Sequence, residues 1–270
     1  MTIDACQRGH DWAAAGVFID GVGWGPCHRP GCTWGARVMD DGALLEREGV
    51  FPSEIGGVTL DIQDDPRGGV AKVVMYELAH SYLVEGIPFR EGDVVLDIGA
   101  HVGVVSCYLG KRWPGLRVYA FEPMMENYVR LRRNLQANNV ANVVAWQLAV
   151  SGNGRAMRLA SAIDSNSGGS TAYSASEGER RVVRSVTLAR LFEQLKLDRV
   201  RLLKMDVEGA EYETIMAEPS LLDRVDYLVG EFHENPTLTK AGYSIAALQS
   251  MVEEHIDPAH VRITACRMGA

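Results

Sequence analysis

Short apolar runs rich in β-branched residues alternate with segments of helical periodicity from residue 94 onward, the pattern of parallel strands joined by crossover helices. Residues 94–99 (VVLDIG) read as a buried strand and 102–112 as the helix after it. Residues 117–122 (RVYAFE) form a second strand, followed by a helix with Met124, Tyr128, Leu131 and Leu135 on one face. A third strand falls in 142–150. Residues 201–206 (RLLKMD) and 227–232 (YLVGEF) give two more, and 261–266 a last one. Between the final two, Leu248, Met251, Val252, His255 and Ile256 line one side of a late helix. Upstream, 57–63 (GVTLDIQ) suggests a short strand, and 70–85, with Val73, Val74, Glu77 and Leu78, a helix leading into the sheet.

Two segments lack such a pattern. Residues 1–57 are rich in Gly and Trp, and are read as an irregular N-terminal extension serving as a lid or an oligomer contact. Its Cys27-His28-Arg29-Pro30-Gly31-Cys32 string lies near, but not on, structural-zinc spacings, so loop cysteines are the expectation. Residues 164–178 (DSNSGGSTAYSASEG) are too polar for a core element and suit a rim loop, with Asn166, Ser170 and Tyr173 as candidate substrate contacts. The expected organisation is an extension over 1–57 and one α/β domain over 58–270, a doubly wound, mostly parallel sheet.

Composition narrows the partners. The 270 residues hold 27 Lys+Arg against 35 Asp+Glu, a net charge of −8 that repels phosphate backbones and anionic membranes. Nucleic acid and membrane are therefore not the expected partners; a homodimer stays open. No apolar run reaches the roughly 20 residues of a membrane helix, the first twenty residues are unlike a signal peptide, and the 5 cysteines form no dense framework. A cytoplasmic protein with reduced thiols is expected.

In an open parallel sheet ligands bind beyond the carboxyl ends of the strands, so the residues ending each run carry the chemistry. Strand one ends in Asp97-Ile98-Gly99-Ala100-His101-Val102-Gly103, whose glycines allow a tight turn and close approach of a cofactor to the backbone. A dinucleotide fingerprint starting at Gly99 needs glycines at positions 101 and 104, where His101 and Val104 stand, so a pyrophosphate cofactor is disfavoured. Strand two ends in Phe121-Glu122-Pro123, which places Glu122 where a ribose-binding carboxylate belongs, roughly 20 residues on. A glycine turn with a strand-terminal acid suits S-adenosyl-L-methionine.

The next strand ends bear Asp206, Glu208 and Glu211, then Glu231 and His233. Asp206, Glu231 and His233 can converge to orient a hydroxyl, take its proton, or hold an oxygen-loving divalent cation such as magnesium. His233 is the candidate base, since an imidazole titrates near 6.5. Lys204 points elsewhere or pairs with an acid.

VVLDIGAHVG, YAFEPMMENYVRLRRNL, LLKMDVEGAEYETI and GEFH together resemble the FkbM-type family of class I S-adenosylmethionine-dependent methyltransferases, over roughly residues 58–235. The resemblance implies a Rossmann-like fold and methyl transfer to a hydroxyl of a sugar, polyketide or other secondary metabolite. It implies that Asp97, Gly99, Ala100, Gly103 and Glu122, with Pro123 beside it, line the cofactor. It places Asp206, Glu208, Glu211, Glu231 and His233 near the acceptor. Only about ten residues follow the late helix, so the usual pair of final strands is expected to be shortened. The alternatives are a non-catalytic cofactor binder and a methyltransferase acting on nitrogen. A nucleobase-directed enzyme is disfavoured because Asp206-Val207-Glu208-Gly209 stands where a polar-Pro-Pro-aromatic string would be.

Overall fold

The computed structural model describes residues 18–19, 22–23, 49–64, 70–160 and 180–267. Six strands form one sheet: β1 (Val94–Ile98), β2 (Arg117–Phe121), β3 (Val143–Trp146), β4 (Val200–Met205), β5 (Val225–Glu234) and β6 (Val261–Arg267). Their order is β6-β5-β4-β1-β2-β3 and every pairing is parallel. The chain winds outward in one direction from β1 to β3 and in the other from β4 to β6, which makes the β1/β4 boundary the switch point where a crevice opens. β6 closes one edge of the described sheet and β3 the other.

All five residues of β1 are buried, as expected for a strand covered on both faces. Leu96 and Ile98 join Leu203, Met205, Leu228 and Phe232 on one side, under α4 (Leu188–Gln194), α5 (Glu211–Met216) and α7 (Ile245–Glu253). Val95, Val118, Leu202 and Val229 face the other way, toward α1 (Val70–His80), α2 (Val104–Arg112) and α3 (Met125–Ala137). α6 (Pro236–Lys240) follows β5, its N-terminus capped by the Asn235 side chain, which accepts from the Leu238 N–H. Of the apolar face expected after β2, Met124, Leu131 and Leu135 are buried. Each such side chain contributes about 1.5–3 kcal/mol by leaving water.

The strand expected at 57–63 is Val58–Asp64, and it pairs antiparallel with Gly49–Ile55 around a Gly56-Gly57 turn. The boundary set at residue 57 thus falls inside a hairpin. Its second strand is bonded on the far side by a helix instead of a strand. Asn134 and Asn138, one turn apart on α3, accept from the N–H groups of Gln63 (2.8 Å) and Asp61 (2.9 Å) and donate to their carbonyls (3.0 and 2.8 Å). Cys27, Cys32 and the 164–178 loop lie outside the described residues. The strands flanking that loop, Met157–Ala160 and Arg180–Val183, pair antiparallel. Among the described residues no helix is long and apolar enough to cross a membrane.

Candidate active site

β1 and β4 leave the sheet almost in contact. The Asp206 N–H donates to the Ile98 carbonyl at 3.1 Å, continuing the ladder past both strand ends. Gly99 adopts φ +77°, and a Cβ there would stand 1.8 Å from the Asp206 carbonyl oxygen, so no side chain fits. The Gly99 and Ala100 N–H groups donate to the Phe121 carbonyl (3.0 and 2.9 Å), which ties the turn to the end of β2. A Cβ on Gly103 would meet Leu131 of α3 at 2.2 Å. The glycines of the turn are thus fixed by packing against β4 and α3.

That turn presents Glu122. Its Oε2 accepts from the His101 N–H (2.9 Å) and its Oε1 from the Met124 N–H (2.9 Å) and the Asn127 amide (3.5 Å). Burial pushes its carboxyl up to about 7, against those three bonds, which favour the charged form. A carboxylate has roughly four acceptor positions, so a fixed Glu122 keeps capacity for a donor from a guest. His101, at φ +50°, is pushed down to about 4 by burial, against the pull of Asp64 and Asp206, and so presents a neutral imidazole.

The acids of β4 and β5 gather around two buried cations. Lys204 Nζ donates to the Gly99 carbonyl at 2.6 Å and lies 3.4 Å from Asp97 Oδ1 and 3.9 Å from Asp206 Oδ2. The other Asp97 oxygen accepts from the Ser106 hydroxyl at 2.6 Å. Lys204 therefore pairs with acids, one of the two outcomes expected for it. His233 has Nδ1 3.0 Å from Glu211 Oε1, and Nε2 3.6 Å from Glu208, 3.8 Å from Glu231 and 4.0 Å from Asp206. Burial alone lowers its pKa, but the Cys266 thiol, Glu211 and Glu208 outweigh burial and the imidazole is pushed up to about 12. That upward push works against His233 as a base at neutral pH and favours the other role expected of it, orienting the groups around it.

The strand ends open on one cavity of about 330 Å³. Gly99, Glu122, Pro123, Asp206, Glu208 and Glu231 line it. Asp97, Ala100, Gly103, Glu211 and His233 stand behind it: Asp97 and Glu211 hold Lys204 and His233, and Glu211 also accepts from the Val207 N–H at 3.0 Å. Asn166 and Ser170 lie outside the described residues, but Met157 and Leu159, just before that loop, line the cavity. His101 and Glu77 also line it, and the sequence reading gave neither a role. The signal for His101 was its place inside the glycine turn. Glu77 had none, being a polar residue on an amphipathic helix.

The expected metal ligands are distributed over two groups. Asp206, Glu208 and His233 bring one donor atom each within 4.8 Å of one another, and so do Glu231, His233 and Cys266. The charged His233 ring is common to both.

Comparison with known proteins places this site in a family. The Methyltransferase FkbM domain matches residues 97–257, from Asp97 in β1 to the end of the late helical region. The protein is thus a methyltransferase with a Rossmann-like sheet. The chain belongs to the FkbM methyltransferase family. Methyltransferase 1 of Beauveria bassiana is 26% identical over 190 residues, which cover 59% of this chain and 75% of that relative. The 31-O-demethyl-FK506 methyltransferase FkbM of Streptomyces tacrolimicus is 41% identical over 70 residues, 26% of each chain. The hexuronic acid methyltransferase AglP of Haloferax volcanii is 26% identical over 145 residues, 53% of this chain and 57% of AglP. The chain thus spans less than two thirds of the latter two relatives.

Proposed function

We propose that the chain is an S-adenosylmethionine-dependent O-methyltransferase acting on a hydroxyl of a small molecule of the sugar or secondary-metabolite type. The observation that carries the reading is the opening of a fixed carboxylate, Glu122, and of the acidic ends of β4 and β5 on one cavity at the sheet's switch point. The relatives named for FK506 and hexuronic acid support a small acceptor.

The residues present fit the cofactor. Glu122, already oriented by two N–H groups, suits a ribose diol; Gly99 admits a close approach to the backbone; Leu148, Val150 and Met157 offer an apolar wall for an adenine ring. When bound, S-adenosylmethionine supplies a methyl activated by its sulfonium charge. The protein's own work is then to align a hydroxyl, take its proton and keep water out, and alignment alone accounts for much of the acceleration. Glu231 is assigned as the proton acceptor. It lines the cavity, and burial and the Asp206 charge push its carboxyl up, against His233 and Lys204, which makes it a stronger proton acceptor than an ordinary glutamate. Asp206, fixed at the β4 exit, orients the hydroxyl. His233, held by Glu211, is a positioning residue that keeps Glu231 and Asp206 in place.

No step is assigned to a divalent cation; Asp206, Glu208 and His233, or Glu231, His233 and Cys266, are the groups that would hold one. The net charge of −8 and the acidic lining disfavour a nucleic-acid acceptor.

Calorimetric titration with S-adenosylmethionine and S-adenosylhomocysteine, with NADH as control, tests the cofactor. Mass spectrometry of acceptors incubated with S-adenosylmethionine, looking for the gain of one methyl on oxygen, tests the reaction. Binding of the first two ligands alone is expected. A folded protein that binds neither rules the proposal out.

A further inference from the structure

The cavity lining mixes apolar side chains, among them Leu148, Val150 and Met157, with five carboxyl groups, those of Glu77, Glu122, Asp206, Glu208 and Glu231. No Lys or Arg is among the described lining residues. The two cations behind the acids are each shared among several partners, and no ion pair joins either of them to Glu77 among the described residues. Lys204, 3% exposed, serves Asp97, Asp206 and the Gly99 carbonyl; His233, 2% exposed, is tied to Glu211 and turns Nε2 to Glu208, Glu231 and Asp206.

Glu77 benefits least from either. It projects from α1, half-buried, and among the described residues its side chain accepts one hydrogen bond, a 3.5 Å contact from the neutral Tyr82 hydroxyl. Burial and the charges of Glu231 and Asp206 push its carboxyl up to about 7, against the weaker pull of Lys204. A carboxylate half out of water and facing like charges is relieved by a cationic guest and made worse by an anionic one.

We propose that Glu77 is the acceptor-selecting residue of the cavity, and that the acceptor is a hydroxylated compound bearing a protonated amine, as an amino sugar or amino alcohol does. The ammonium sits beside Glu77 and leaves the neighbouring hydroxyl to Asp206 and Glu231. This rests on the reading of the cavity as a methyl-transfer site. It also predicts that uronic acids are rejected, the opposite preference to that expressed in the name of the Haloferax relative.

The test uses the whole chain saturated with S-adenosylhomocysteine. 6-Amino-6-deoxyglucose, its N-acetyl derivative, glucose and glucuronate are titrated in turn, with and without millimolar magnesium chloride. The amine is expected to bind at least about tenfold more tightly than its N-acetyl derivative, with glucuronate weakest. Glu77→Gln should cut that preference at least fivefold and leave S-adenosylhomocysteine affinity unchanged, whereas Glu77→Asp, which keeps the charge, should retain most of it. An amine that binds no better than its N-acetyl derivative overturns the proposal, as does a preference that survives in Glu77→Gln. Magnesium that lifts glucose to the affinity of the amine would show that the acids hold a metal, and overturns it too. Failure of S-adenosylhomocysteine to bind is a separate result, which removes the methyltransferase reading beneath.

Discussion

Lys204 is the residue on which the switch point turns, and Lys204→Met isolates its charge while keeping an unbranched apolar stem. Its Nζ holds the Gly99 carbonyl at 2.6 Å and stands 3.4 Å from Asp97, itself fully buried. Burial alone lowers the Lys204 pKa, yet Asp97 and Asp206 outweigh it and keep the ammonium above its usual value. Removing one member of a buried pair leaves the other charge uncompensated, at a cost of about 3–5 kcal/mol. Part of that is the charge-assisted bond to Gly99, worth about 1.5–3 kcal/mol. At roughly 2–4 °C per kcal/mol for a domain of this size, Tm should fall by roughly 6–20 °C. Thermal and urea unfolding followed by circular dichroism at pH 7 measure this. Asp97→Asn combined with Lys204→Met should cost less than the sum of the two single changes by about 1–3 kcal/mol, because the orphaned charge is gone. A Lys204→Met protein within about 1 kcal/mol of wild type, or strict additivity in the double variant, would refute the pairing.

The remaining predictions concern the cofactor, the base and the metal. Glu122→Gln should weaken S-adenosylhomocysteine binding by about 10- to 100-fold, the worth of charge-assisted bonds to a diol, and calorimetry reads it directly. The same variant bears on stability. A glutamate raised to about 7 when folded contributes stability that is complete below its unfolded value and is lost as pH rises through about 7. The unliganded wild type should therefore lose more Tm than Glu122→Gln between pH 5 and 8, and equal slopes would sink that account. If Glu231 takes the proton, kcat should fall as pH drops through its raised pKa, and Glu231→Gln should lose most of the rate and that acid limb together, while cofactor affinity holds. Turnover should survive exhaustive treatment with EDTA; loss restored by magnesium would return the acids to the role of metal ligands.

What the sequence disclosed, and what it hid, follows from the range of the interactions. The strands from 94 onward, their order of appearance and the turn at Gly99 are local patterns, and the acids at strand ends are placed by the sheet itself. Gly49–Ile55 escaped notice because Pro52 and Glu54 interrupt its apolar pattern, and it becomes a strand only through Val58–Asp64. The upward push on His233 comes from Cys266 and Glu211, both distant along the chain, which residue type alone cannot reveal. Lys204 was easier: a lysine inside RLLKMD, on a strand buried on both faces, must have a partner. Glu77 reads as a solvated position on α1, and only the way that helix lies against the cavity brings it to the site.

The asparagine pair on α3 bears on how this chain is made. Val58–Asp64 leaves the ribosome long before its bonding partners, which come 71 and 77 residues later. Until α3 winds into a helix, Asn134 and Asn138 are not one turn apart and offer no spacing that matches alternate peptide groups of a strand. Until then the outer edge of Val58–Asp64 has no partner, the state in which strands join other chains. Once docked, the two amides occupy the peptide groups of Asp61 and Gln63, so that edge of Val58–Asp64 offers no continuous row to extend. The same two side chains thus decide when the Val58–Asp64 edge stops being available for pairing with another strand.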